Sequence, residues 1–149
     1  MARFRRLPSQ RLTPPPWAVR WRFEVLDFGA PANARDASIR FLRDRGDADA
    51  DYLSAEIVFG ELIGNVVRHA QAPLFLELDW SGEYPVLHVQ DRGPGFDWKQ
   101  PTLPAPDIES GRGLYLAASL SRDLEITRIP NYGTHIRVVL NIARNDRER

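Results

Sequence analysis

Glu61 and Asn65 stand four residues apart in a stretch with helical periodicity, so they share one helix face, one turn from each other. A carboxamide so placed can hold a hydrated Mg²⁺ through its oxygen, and the carboxylate can orient or deprotonate a hydroxyl or a water. The same spacing also describes an ordinary polar pair on a helix surface. Further along, Asp91-Arg92-Gly93-Pro94-Gly95-Phe96 follows the strand-like run Leu87-His88-Val89-Gln90. Two glycines separated by one residue allow a tight turn with backbone close to a ligand, and an aspartate at the strand end can accept a hydrogen bond from an exocyclic amine. A plain strand-ending turn uses the same residues. Gly111-Arg112-Gly113-Leu114 opens a helix, where free backbone N–H groups and the helix dipole favour an anion such as phosphate. Arg112 adds a charged donor there or points to solvent. Last, Gly133-Thr134 begins a strand, and the threonine hydroxyl can bond a base or satisfy a turn. Neither the dinucleotide-binding glycine fingerprint nor the Gly-Lys-Ser/Thr of a P-loop is present.

The elements that must position these residues follow from hydrophobic period and from the breakers. Alternation predicts a strand over Val19–Phe28, and an apolar side of Ala37, Ile39 and Phe41 predicts a helix from Ala32 to Arg45 that Gly46 stops. Leu53, Ile57, Val58, Leu62, Val66 and Val67 predict a longer helix over Ala50–Ala70, closed by Pro73. Strands are expected at Leu74–Trp80 and Val86–Gln90, with Ser81–Pro85 as the hairpin turn. An aperiodic loop, Asp91 to Gly113, has the length of a functional lid or a linker. A short helix, Leu114–Ser121, and strands Leu124–Arg128 and Thr134–Leu140 complete the order, with a frayed charged tail beyond Ile142. Hairpin strands with helices grouped apart from them argue for an α+β two-layer sandwich.

Composition sets the outer limits. The chain has 149 residues, 43% hydrophobic and 27% charged, which suits one globular core. Net charge is zero, so no overall field argues for nucleic acid or membrane, and no apolar run reaches the roughly 20 residues that span a bilayer. With no cysteine, disulfides and thiolate chemistry are excluded. No apolar segment follows the N-terminal arginines as a signal peptide requires, and a cytoplasmic address is the default expectation. Residues 1–18 read as a basic, Pro-containing arm: Arg3, Arg5, Arg6 and Arg11 lie there, and no acidic residue precedes Glu24. Such an arm contacts a partner or is a solvated terminus. The domain proper is expected over 19–142 and the tail over 143–149.

In order and spacing, Glu61-Leu62-Ile63-Gly64-Asn65-Val66-Val67-Arg68-His69-Ala70, Asp91-Arg92-Gly93-Pro94-Gly95, Gly111-Arg112-Gly113-Leu114 and Gly133-Thr134 resemble the motifs of the GHKL superfamily of ATP-binding domains. The likeness covers about Val19 to Leu140 and is nearest to the bacterial anti-sigma factor serine kinases, through the glutamate of the first motif and the run Asn-Val-Val-Arg-His-Ala. It implies a mixed sheet of about five strands with about three helices on one face. It also implies ATP and Mg²⁺ as ligands, with Asn65 on the metal and Glu61 as base toward a partner's serine. Asp91 would take the adenine amino group, assisted by Thr134, with Gly93 and Gly95 making room for the nucleotide. Gly111, Arg112, Gly113 and Leu114 would line the phosphates, with Arg68 as a further basic contact. The partners it implies are a sigma factor and a STAS-domain antagonist, with a homodimer and without direct nucleic-acid binding. Two features depart from the pattern. The lid Phe96–Ser110 carries Pro101, Pro104 and Pro106 with Lys99 as its one basic residue, and no aromatic residue follows His69-Ala70.

Overall fold

A computed structural model of the protein describes residues 15–23, 29–69, 73–91, 109–129 and 133–145, and of residues 29–31, 66–69, 109–112 and 129 the backbone alone. Five strands, β1 (Ala18–Phe23), β2 (Leu74–Asp79), β3 (Val86–Asp91), β4 (Asp123–Ile129) and β5 (Gly133–Val139), form one sheet in the order β1-β2-β3-β5-β4. Three helices, α1 (Gly29–Arg45), α2 (Tyr52–His69) and α3 (Glu109–Ser119), accompany it. The result is the expected α+β two-layer sandwich. The sheet is not mixed: each hydrogen-bonded pair of strands is antiparallel. The α3 crossover does leave β3 and β4 running the same way, but β5 enters between them and pairs antiparallel with both.

The period-two pattern decides which side of the sheet meets the helices. Leu74, Leu76 and Leu78 of β2, Leu87 and Val89 of β3, and Ile136 and Val138 of β5 are all buried, and they cluster with Val58, Phe59 and Leu62 of α2. Asp51 caps α2 by accepting a hydrogen bond from the Ser54 N–H at 3.0 Å and another from the Ser54 hydroxyl at 2.5 Å. Those two bonds hold the Asp51 carboxyl below its ordinary pKa. Gly46 ends α1 where a side chain has no room: a Cβ would lie 2.8 Å from the Leu42 carbonyl oxygen and 2.9 Å from Ile142.

Several expected details change. The α2 stripe is centred on Ala55, Phe59 and Leu62, while Leu53 is 65% exposed and Ile57 half-buried. Both series have helical spacing, and α2 is apolar on more than one side, so periodicity alone does not choose between them. Likewise, the buried side of α1 is Ala34, Ser38, Ile39, Phe41 and Leu42, with Ala37 only half-buried. β1 closes at Phe23, and the expected strand residues 24–28 lie outside the described residues, as do residues 1–14 of the basic arm. The tail is not frayed at Ile142. The Asn145 N–H donates to the Arg45 carbonyl at 3.0 Å, the Asp47 N–H donates to the Ala143 carbonyl at 2.9 Å, and Arg144 donates to the Trp80 carbonyl. No helix among the described residues is long and apolar enough to cross a membrane.

The face assignment of α2 gives a direct stability test. Phe59→Ala should cost about 3–5 kcal/mol of unfolding free energy in urea titration, whereas Leu53→Ala should stay within about 0.5 kcal/mol of the parent. Equal losses at the two positions would place α2 the wrong way round.

Candidate nucleotide site

The candidate residues come from four elements, β3, β5, α2 and α3. β3 ends on Asp91, which is 3% exposed, and β5 begins with Gly133 and Thr134, the latter also 3% exposed. The ladder between these strands runs from the Val86–Val139 pair to the Gln90–His135 pair. One residue further on, the Asp91 side chain replaces the backbone rung: the Thr134 N–H donates to Asp91 Oδ1 at 2.5 Å. Gly133 makes this approach possible. It has φ of 113°, and a Cβ there would strike the Asp91 side chain and lie 2.9 Å from its carbonyl carbon.

The second wall is made by two helices. Asn65 is 1% exposed and therefore points into the protein, while Glu61, one turn earlier, is half-buried. Gly113 lies against both: a Cβ on it would collide with the Glu61 carboxylate and reach 3.5 Å from Asn65 Nδ2. At Gly113, α3 therefore comes up against the polar face of α2.

Three side-chain atoms here are shut off from solvent, namely Asn65 Nδ2, Asp91 Oδ2 and Thr134 Oγ1. The Thr134 hydroxyl has no hydrogen-bond partner among the described residues. Burying a hydroxyl in that state costs about 1–3 kcal/mol, a cost that a hydrogen bond from a ligand would offset. A carboxylate beside a buried hydroxyl suits a base with an exocyclic amine, and the polar wall of α2 and α3 has the chemistry to receive phosphates with a cation. Among the described residues no group of three or more His, Cys, Asp or Glu could hold a metal ion. Mg²⁺ does not require one, because it is commonly held by one or two protein oxygens with water and substrate phosphates. The Asn65 carboxamide fits that role.

The family model for the histidine kinase-like ATPase domain matches this chain over residues 25–140. The chain belongs to that family. It is a GHKL-type ATPase domain, and ATP is the nucleotide that the family implies. Among solved structures, the histidine kinase AdeS of Acinetobacter baumannii is similar, with 17% identity over 86% of this chain and 68% of that one and a TM-score of 0.47. A search of curated protein sequences finds no match.

Within this ATPase domain Glu61, Asn65 and Gly113 meet at one place, and Asp91 and Thr134 at another. Gly111 and Gly113 do not precede a helix, as expected, but lie within it, because α3 begins at Glu109 and takes in the last residues of the expected lid. Leu114 is 7% exposed and packs in the core, so its side chain anchors α3. Gly93, Gly95 and Lys99 lie outside the described residues, and so do the side chains of Arg68 and Arg112. Gly133, read from the sequence only as the residue that leads into Thr134, also makes room for the Asp91 side chain. A cavity of about 190 Å³ at the N-terminal end of α2, lined by residues such as Asp51, Ser54, Ser121 and Asn141, includes none of the candidate residues.

The orphaned hydroxyl gives a two-sided prediction. Thr134→Val keeps the shape and removes the buried oxygen, so the ligand-free protein should gain about 1 kcal/mol in thermal unfolding. ATP binding by the same variant should weaken. A variant that loses stability and binds ATP normally would show that the hydroxyl serves the fold.

Proposed function

We propose that this GHKL-type domain is an ATP-dependent protein-serine kinase that acts on a STAS-type antagonist and also sequesters a sigma factor. The observation that carries the kinase part is the half-buried Glu61 carboxylate, set one helical turn from Asn65 and held against the glycine backbone of α3. An adaptor that only binds nucleotide has no use for a carboxylate at that place. Protein partners are supported by the large apolar side chains left in solvent: Leu53, Tyr115 and Leu116 lie on the two helices that form this wall, and Trp17 stands just ahead of β1.

In this reading Asp91 accepts a hydrogen bond from the adenine amine, and the Thr134 hydroxyl completes the contact with the base. Asn65 holds Mg²⁺, which when bound supplies neutralising charge to the phosphates. The N-terminal turns of α3, with Gly111 and Gly113 in them, present backbone toward the phosphates. Glu61 accepts the proton of the incoming serine hydroxyl as its oxygen bonds to the γ-phosphorus and the bond to the ADP oxygen breaks. Phosphoryl transfer asks the protein mainly for positioning and charge neutralisation, and these residues supply both.

A second reading is a stand-alone catalytic domain of histidine kinase type, which the family match accommodates equally. It differs in the phosphoacceptor, so product chemistry separates the two. Incubation with Mg-ATP and a candidate STAS partner should give acid-stable phosphoserine, whereas an acid-labile product would favour the histidine reading. Glu61→Ala should retain ATP binding and lose transfer by about 10²-fold or more. Undiminished transfer by this variant would remove Glu61 from the reaction.

A further inference from the structure

The face of the sheet opposite the core cluster carries a row of polar residues, set directly across from one another by the strand register. Arg20 of β1 pairs with Glu77 of β2, Glu77 with His88 of β3, His88 with Arg137 of β5, and Arg137 with Glu125 of β4. His135 is the diagonal neighbour of His88, on the Gln90–His135 rung. The two imidazoles lie nearly parallel, 6° apart in plane and 5.2 Å between centroids, and His88 Nδ1 is 3.0 Å from His135 Nε2. At that separation one of the two nitrogens carries a hydrogen and the other accepts it. The pair therefore ties β3 to β5 by a side-chain bond on the back of the sheet.

Its position is what gives it meaning. Gln90–His135 is the last register pair before the Asp91 carboxylate takes the Thr134 N–H. The residues next in sequence to this rung, Asp91 and Thr134, face the other way and form the base end of the nucleotide site. We infer that the His88–His135 hydrogen bond is a positioning device for the bound base, holding the ends of β3 and β5 in the register that sets Asp91 against Thr134. The inference rests on the nucleotide site proposed above. It adds two residues that touch no ligand and act through the rung beside them.

The charges facing the pair are accounted for on each neighbouring strand. Glu77, 3% exposed, is bound by Arg20, and Arg137 is held by Asp123 at 3.2 Å. Glu125 lies near enough to His135 to favour its charged form slightly, while Thr127 of β4 stands opposite it. Burial is the larger influence, followed by the neighbouring His88, and together they lower the His135 pKa to about 4. The sign follows directly. A histidine depressed from 6.5 to about 4 contributes stability that is complete above pH 6.5 and is lost as pH falls toward 4, because the unfolded chain binds the proton first. The pair keeps its bond while His135 is neutral, and as pH approaches 4 a second proton on the facing nitrogens breaks it.

The test measures ATP and GTP affinity by titration for the parent, for His88→Phe/His135→Phe, and for His88→Asn/His135→Gln. Phenylalanine leaves an aromatic ring at each position and removes the bond. The amide nitrogens and oxygens of Asn and Gln stand where the imidazole nitrogens were, and so restore a bond. With all three proteins shown folded by thermal unfolding, the double Phe variant should bind ATP about tenfold more weakly and discriminate less between ATP and GTP. The Asn/Gln variant should recover most of both. The difference in ATP affinity between parent and double Phe variant should also narrow as pH is taken from 6.5 toward 4. Unchanged affinity and base preference in a folded double Phe variant would overturn the inference, as would loss without recovery in the Asn/Gln variant. If the parent itself binds no nucleotide, the site reading falls and takes this inference with it.

Discussion

At the end of β3 a side chain does the work of the backbone. The ladder to β5 reaches its last rung at Gln90–His135, and Asp91 Oδ1 then takes the Thr134 N–H that the next rung would have bound. This is possible only because position 133 is a glycine with a left-handed φ, as any Cβ would collide with Asp91. The contact fixes one carboxylate oxygen within the fold and orients the whole group at the edge of the sheet. It also sets the adjoining Thr134 hydroxyl, buried and without a protein partner among the described residues, toward the same place. In the proposed reading, the base end of the site is thus set by the ends of two paired strands.

The phosphate end depends on a different constraint, the close approach of two helices. α3 lies so near α2 at Gly113 that a methyl group would displace the Glu61 carboxylate. Beside this approach Asn65 is buried and Glu61 is half-buried, so the carboxylate is still reachable from solvent. The core behind both helices, from Phe59 and Leu62 to Leu76 and Ile136, gives the approach its rigidity. Packing and site are thus one arrangement: the small residue that closes the helix pair is the one that shapes the polar wall.

Much of this was legible in the amino-acid sequence. Asp91 at a strand end, Asn65 four residues after Glu61, and Thr134 at the start of the last strand all stand where their spacing put them. The two-layer architecture followed from hairpin strands grouped apart from helices. What periodicity did not decide was the buried face of α2, because Leu53 and Ile57 repeat at helical spacing as well as Ala55, Phe59 and Leu62 do. Gly111 and Gly113 read as the opening of a helix, yet they lie inside α3, which begins at Glu109, and Gly113 sits against the Glu61 carboxylate. The ordered segment Ala143–Asn145 was equally out of reach, since its bonds go to Arg45, Asp47 and Trp80, far away along the chain. Interactions of that range leave no local pattern.

Asp91→Asn offers the most direct test of the nucleotide site. The amide oxygen can still accept from the Thr134 N–H, so the fold contact survives, while the second position changes from an acceptor to a donor facing the adenine amine. Isothermal titration of Mg-ATP into the parent should show one site per chain, and the Asn variant should bind at least about tenfold more weakly with an unchanged unfolding temperature. Equal affinity in the two proteins would mean that the base is bound elsewhere.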